Sequence, residues 1–453
     1  MKELIAILDV GKTHAKLVFV DNSGCELFTA KHRNTSRDTP MGRQLDVASI
    51  EQWAIESFRS TPLTSQVRSI VPIAHGATAV LLDANDDVVA APDYEDVRFS
   101  EVEAEYERAR DDFAGTLSPS LPCGLNLARQ LFYLQRQEPG RFARVAHALL
   151  YPQYWAWRFS GVKASEVTSL GCHTDLWLPR EARYSKLAQS HGWQRLFPKL
   201  RDADDTLGPI SAEMAQSTGL DASCTVTCGI HDSNASYLEH LIQRQRDEPF
   251  AVISSGTWTV AMARHTDLSK LEAGRDMLAN VDAFGSPIAT ARFMGGREYE
   301  AISGSTVMPD ESALAAVVAS QAYALPSFAT AGPFPLSKGQ LINATALDPP
   351  QRAALATVYS ALMCDLLLES LDARGPVIVD GPLGANPLFS RLLASWRSAV
   401  FVHRESQGVC ARAALFLSGR PVESAEPLMA AEPLSLALAD YRQAWRDQVP
   451  SYQ

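Results

Sequence analysis

Apolar and polar positions alternate from the first residues onward. "LIAIL" at 4–8 is apolar, a polar glycine-bearing stretch follows, and "AKLVFVD" alternates and is rich in Val and Phe. "NSG" then turns the chain into "CELFTAKH". This is the pattern of strand, turn and strand. Helical spacing takes over in "VASIEQWAIESFRS", and "VRSIVPIAH" is a further strand that leads into Gly76 and "ATAVLLDANDDVV". "FSEVEAEYERARDDFAG" reads as an acidic helix with a solvated face. Residues 125–160 read as helical, and the irregularly spaced aromatics of "YPQYWAWRFSG" are assigned to core packing before ligand stacking. "TVTCGI" reads as a strand and "HDSNASYLEHLIQ" as the helix after it.

The charged stretch "RQRDEP", residues 244–249, marks a boundary. Behind it "FAVISSGTWTVAMARH" repeats the opening pattern of strand, glycine-bearing turn and strand. Two such hairpins, each opening half of an α/β chain, predict a duplicated fold with a nucleotide between the halves. The expected domains are 1–243, with the first hairpin, and 249–453, with the second.

Composition narrows the function. A chain of 453 residues, 46% apolar, can bury large cores. A formal net charge of -11 argues against nucleic acid as the main partner. No apolar run is expected to reach the roughly 20 residues a membrane helix needs, and "LIAIL" is too short for a signal-peptide core. A cytoplasmic protein is the plain expectation. Seven scattered cysteines fit free thiols. Cys224 and Cys228 share a strand face, but no second pair lies near enough to complete a zinc set. Assembly is not legible; a homodimer is one option.

Gly11-Lys12-Thr13 invites comparison with a Walker loop. That motif needs a glycine where Ala6 stands and a helix where "AKLVFVD" follows, so the reading fails. A hairpin turn can hold phosphate differently, because its unpaired N–H groups attract anions. Lys12, Thr13 and Lys16 add cationic and hydroxyl donors at the first turn; Ser254, Ser255, Gly256 and Thr257 serve the second. Asp9 ends the first strand, either as an ordinary turn acid or as a carboxylate for Mg²⁺. In "GIHDSNAS", Asp232 stands where a strand gives way to a helix, suited to N-capping or to general-base work on an attacking hydroxyl. His231 beside it is a structural histidine or a hydrogen-bond partner for a sugar.

In order and spacing, "DVGKTHAK", "AHGAT", "GIHDS" and "SSGTW" resemble the signatures of the FGGY carbohydrate kinases, nearest the rhamnulokinase and fuculokinase branch. The resemblance runs over nearly the whole chain. It implies an actin/hexokinase/Hsp70-like (ribonuclease H-like) duplicated α/β fold with ATP and sugar in the cleft between domains. It also implies Asp232 as base, Asp9 near Mg²⁺, and His75, Gly76, Thr78, His231 and Ser233 facing the sugar. Lys12, Thr13, Lys16, Ser255, Gly256 and Thr257 would attend the phosphates, and "RFMGGREY", 292–299, would lie where the C-terminal domain closes. The family's glycine-rich adenosine loop is represented by "GPLGAN", 381–386. Gly381, Gly384 and Asn386 match there, whereas Pro382 and Leu383 replace glycines, and Pro382 lacks an N–H. The implied activity is ATP-dependent phosphorylation of a deoxyketose at its 1-hydroxyl. A catalytically silent nucleotide or sugar sensor on the same fold is the alternative. A chaperone-like ATPase fits less well, since no peptide-binding β domain follows.

Overall fold

The computed structural model describes residues 3–245, 247–403, 410–422 and 428–449. By their contacts they fall into two units. The first comprises Met1–Gln245, Ala279–Pro287 and Val409–Ser424; the second comprises Arg246–Leu278, Ile288–Gly408 and Ala425–Gln453. The break near residue 246 lies inside the charged "RQRDEP" stretch. Two later segments nonetheless return to the first unit, for visible reasons. Val281 is fully buried in that unit's second core beside Leu170 and Leu176, and Ala279 N donates to Leu117 O at 2.9 Å. Arg412 N donates to Glu239 Oε1 at 3.1 Å.

The first unit carries β1 (Leu4–Val10), β2 (His14–Val20), β3 (Glu26–Arg33), α1 (Val47–Arg59), β4 (Val67–Ala74), α2 (Tyr151–Ser160), β5 (Thr206–Pro209), β6 (Thr225–Thr227), β7 (Ile230–His231) and α3 (Asp232–Leu241). Its sheet runs β5-β6-β4-β1-β2-β3, with β7 also on β4. β1, β2 and β3 are antiparallel neighbours. β4 is parallel to β1, and β6 and β7 are parallel to β4. β4 is buried on both faces along nearly its whole length, as a central parallel strand must be. The sheet packs on α1 and α2 through Phe19, Phe58, Ile70, Trp155 and Phe159. The aromatics of "YPQYWAWRFSG" are therefore core residues.

The second unit repeats the design with β8 (Ala251–Ser255), β9 (Thr259–Ala263), β10 (Pro287–Phe293), α4 (Gly295–Ser303), α5 (Pro349–Ser370), β11 (Val377–Asp380), α6 (Pro387–Ala394), β12 (Val400–Val402), β13 (Met429–Ala430) and α7 (Ala439–Gln448). The strand order β10-β9-β8-β11-β12-β13 has the same parallel and antiparallel sense as β3-β2-β1-β4-β6-β5. This is the duplicated α/β fold expected from the two hairpins.

Two sequence expectations need correction, and a third is qualified. Residues 125–160 are not wholly helical, because His147–Leu150 is a strand paired with Ala79–Leu82. A short buried apolar run has no periodicity to separate the two states. The acidic helix is shorter than its pattern, Glu103–Ala109, and is not merely a solvated face: Tyr106 is buried and donates to Asp175 Oδ2 at 2.5 Å. Finally, α5 is, by length and composition, apolar enough to cross a membrane. However, 89% of its most apolar window is buried inside the fold. Its Thr, Ser, Cys and Asp365 break the apolar run, and neighbouring helices cover it.

Candidate active site

Three parallel strands of the first unit end side by side. Asp9 pairs with Ile73, and Ile73 with Ile230; one rung on, Val10 pairs with Ala74, and Ala74 with His231. The chain therefore emerges at Gly11, His75 and Asp232 along one edge, the carboxyl end of a parallel sheet, where α/β proteins bind ligands. The break between β6 and β7 sets the last of these. Gly229 adopts φ +83°, and a Cβ there would stand 2.4 Å from Pro72 O. Buried Gln153 on α2 donates to the carbonyls of Cys228 and Gly229, both at 3.1 Å.

Asp232 is the first residue of α3, with His231 as the preceding cap. Its carboxylate accepts from Ser233 N at 2.6 Å and lies 3.2 Å from His231 Nε2, yet it remains 37% exposed. The exposure leaves room for an incoming hydroxyl. Asp9 is half-buried. Burial first, and then the charge of Asp232, push its carboxyl up to about 7 against the opposing pull of Lys16, its partner across β2. A carboxylate whose ionisation is opposed by burial and by a neighbouring carboxylate fits a divalent cation, which relieves that cost.

His231 is buried. Its Nε2 lies 3.8 Å from Cys172 Sγ, and its backbone N donates to Thr168 Oγ1 at 3.1 Å. Burial opposes its protonation. Cys172, then Asp232 and Glu166, outweigh burial and raise the imidazole to about 9. Cys172 is pulled the other way: burial opposes ionisation, but His173 and His231 bring the thiol down to about 5. The His231 ring thus stands between the Cys172 sulfur and the Asp232 carboxylate, with Asn234 Nδ2 3.1 Å from its Nδ1. Glu166, fully buried, accepts from Thr168 N at 2.8 Å and Thr168 Oγ1 at 2.6 Å, which holds the threonine against His231.

His75 is buried against Tyr151 and Tyr94, with ring centroids 4.8 and 5.7 Å away. Burial drives it down to about 4, so it is neutral at pH 7. Its Nδ1 lies 2.9 Å from Gly76 O and 3.4 Å from Thr78 Oγ1. Gly76 has no room for a side chain, since a Cβ would meet His231 Nε2 at 2.8 Å and Cys172 Sγ at 3.3 Å. Of the residues expected here, Asp9, His75, Gly76, Thr78, His231, Asp232 and Ser233 lie at or beside these strand ends. Thr13 is exposed at the hairpin apex with His14 Nδ1 3.1 Å from its hydroxyl. Lys12 leaves the turn for Asp93.

The second unit gathers a different set. Around a pocket of about 240 Å³ stand Ser255, Gly256, Gly295, Tyr299, Leu383 and Asn386, and residues 305–308 complete its lining. Close backbone approach defines it. A Cβ on Gly296 would lie 2.4 Å from Gly256 O, and Gly381, at φ +76°, would meet Ser255 O at 2.2 Å. Ser255 Oγ donates to Asp380 O at 2.7 Å and accepts from Leu383 N at 2.9 Å, which ties the hairpin to the 381–386 loop. Asn386 caps α6 by accepting from Leu388 N at 3.1 Å, and its amide donates to Thr357 at 3.1 Å. Thr257 is exposed at the apex, and its carbonyl accepts from Gly296 N at 3.3 Å. The mainly apolar lining and flanking turn amides suit a nucleotide base with phosphates beyond it.

Asp93, Tyr94, Glu166 and Cys172 were not singled out from sequence. "PDYED" and "GCHTD" are short polar clusters beside apolar runs, and only tertiary contact joins them to His75 and His231.

Comparison with known proteins places the chain in a family. Residues 4–238 match the N-terminal domain model of the FGGY family of carbohydrate kinases, and residues 247–426 match the carbohydrate kinase FGGY C-terminal domain. The chain belongs to the FGGY family of carbohydrate kinases. It is 33% identical to a carbohydrate kinase from Novosphingobium aromaticivorans, whose crystal structure superposes with a TM-score of 0.90 over 99% of this chain and 98% of that one. A ligand-bound xylulose kinase from Lactobacillus acidophilus shares the fold, with a TM-score of 0.78 over 98% of this chain and 96% of that one, at 14% identity. L-fuculokinase of Salmonella typhi is 25% identical over 273 residues, 58% of this chain and 57% of its own length. The chain thus spans little more than half the length of the curated relatives it matches.

Proposed function

We propose that the protein transfers the γ-phosphate of ATP to a hydroxyl of a small sugar, in the cytoplasm, with Asp232 as general base. The observation that carries this reading is the placement of Asp232: a half-exposed carboxylate at the end of β7, on a helix N-terminus, one strand away from His75 and two from Asp9. Phosphoryl transfer asks the protein to orient the attacking hydroxyl and take its proton. Asp232 accepts that proton, and His75 and His231 fix the acceptor beside it. Asp9 would hold Mg²⁺, which would supply charge neutralisation at the transferring phosphoryl group when bound. The second unit's pocket, between Gly256 and Leu383, takes the nucleotide base. L-Fuculokinase among the relatives makes a fuculose- or rhamnulose-like ketose, phosphorylated at the 1-hydroxyl, the first acceptor to try.

ADP release from Mg-ATP is measured against ketoses, aldoses and polyols, beside Asp232→Asn. One sugar should accelerate release by the wild type. The variant should lose about two to four decades of kcat with sugar KM nearly unchanged. A variant at wild-type rate removes Asp232 from the mechanism. Pro382 and Leu383 on the pocket wall favour a second reading, a binding sensor: nucleotide binding without transfer to any sugar would select it.

A further inference from the structure

Lys12 sits in the first hairpin, yet its side chain does not stay at the turn. Gly11 N donates to His14 O at 3.0 Å, which makes Lys12 and Thr13 the two apex residues. Thr13 remains there, exposed. Lys12 instead reaches Asp93, with Glu95 Oε2 at 3.5 Å and the Tyr94 ring centroid at 4.5 Å. Asp93 is a rigid anchor: its side chain is fully buried, it accepts from Ser36 Oγ at 2.5 Å and Arg43 Nε at 2.8 Å, and its Oδ1 accepts from Glu95 N at 3.0 Å. The ring under the ammonium meets His75 edge-on at 5.7 Å, and the Lys12 charge opposes protonation of His75.

We infer that Lys12 serves the sugar acceptor, as a specificity-determining donor beside His75, and does not bind the nucleotide phosphates; this rests on the kinase reading above. Charge is the reason. Asp93 and Glu95 lie within 4 Å of Nζ, and Arg43 offsets one of them, so the cluster Lys12, Arg43, Asp93 and Glu95 is neutral. A neutral cluster with two carboxylates beside the ammonium offers a triphosphate no net attraction. A sugar hydroxyl carries no charge to be repelled. An ammonium has three N–H donors; Asp93 takes one, Glu95 at 3.5 Å at most another, and the side chain is one-fifth exposed. The Tyr94 face supplies the apolar surface on which the C–H side of a sugar packs.

The test is Lys12→Met, together with Lys12→Met/Asp93→Asn to spare the fold a buried carboxylate held by Arg43 as its one remaining cation, and Lys12→Arg as the conservative variant. Two quantities are read: KM and kcat for the most active ketose of the panel, and the affinity of Mg-AMPPNP by calorimetry without sugar. Acceptor KM should rise about tenfold or more, the scale of one hydrogen bond from a charged donor. kcat should stay within about threefold and Mg-AMPPNP affinity within about twofold, a pattern of lost uniform binding. Lys12→Arg should recover part of the loss. An unchanged acceptor KM, or a tenfold loss of Mg-AMPPNP affinity, overturns the inference while the kinase reading stands. A wild-type chain inert toward every panel sugar overturns the kinase reading and this inference with it.

Discussion

Gly76→Ala is a one-methyl test of how His231 supports Asp232. Gly76 lies outside the left-handed region, so alanine costs no backbone strain there; the cost is steric. The new Cβ would stand 2.8 Å from His231 Nε2, and ordinary contact begins near 3.4 Å, so the ring must yield by about 0.6 Å. Nε2 is also the atom 3.2 Å from Asp232 Oδ1 and 3.8 Å from Cys172 Sγ. Sulfur blocks one escape, since the Cβ would already be 3.3 Å from it. Overpacking of this kind costs ~1–3 kcal/mol, and a charge-assisted hydrogen bond lost with it is worth ~1.5–3 kcal/mol. Misplacement of a supporting group by a fraction of an ångström should lower kcat about 10- to 100-fold. Steady-state kinetics on the best acceptor, urea unfolding and Mg-AMPPNP calorimetry separate these effects. Nucleotide affinity should not change, because the pocket around Gly256 and Leu383 belongs to the other unit. A folded Gly76→Ala enzyme with kcat within about twofold of wild type would refute the role given to His231.

Two further predictions concern stability. Asp365, buried on α5, accepts from Arg397 Nε, Arg442 Nε and Arg446 Nη2, each at 2.8 Å, and so holds α7 to α5. Asp365→Ala removes the acceptor that three guanidinium groups share, although Arg397 keeps the backbone carbonyl of residue 365 and Arg446 keeps Glu369. The arginines are about a quarter exposed, which moderates the usual cost of a broken buried pair to ~2–4 kcal/mol. Urea unfolding should show that loss together with faster proteolysis near the C-terminus, and a change below ~1 kcal/mol counts against the clamp. Asp93 is the pH case. Burial opposes its ionisation, but hydrogen bonds from Lys12, Ser36 and Glu95 N, with the Lys12 charge, bring it down to about 2. A depressed carboxylate stabilises the fold fully above its unfolded pKa of about 3.9, and that contribution fades as pH falls toward 2. The stability gap between wild type and Asp93→Asn should therefore shrink between pH 4 and pH 2. The shrinkage should be at most about 2 kcal/mol, with solvent screening at Lys12 reducing it; a gap that is constant or widens there contradicts the assignment.

Both hairpins, the strand at 67–74, the 232–241 helix and the boundary near 246 are legible along the chain. Each is a local matter of alternation, turn residues and helical spacing, which act between near neighbours. Asp9 and Asp232 stand out for the same reason, as acids at strand ends. Other features were decided only by folding. His147–Leu150 is a strand because Ala79–Leu82 offers it hydrogen-bond partners, and segments 279–287 and 409–424 join the first unit because its core takes Val281 and its Glu239 takes Arg412 N. Lys12 carries a phosphate-loop appearance in sequence, yet its ammonium is captured by Asp93, 81 residues away. Cys172 owes its low-lying thiol to His173 and to His231, 59 residues further on. Sequence pattern determines which elements form. Which charges end up facing one another is an outcome of long-range packing, because electrostatics depends on distance in space, and spacing along the chain does not encode it.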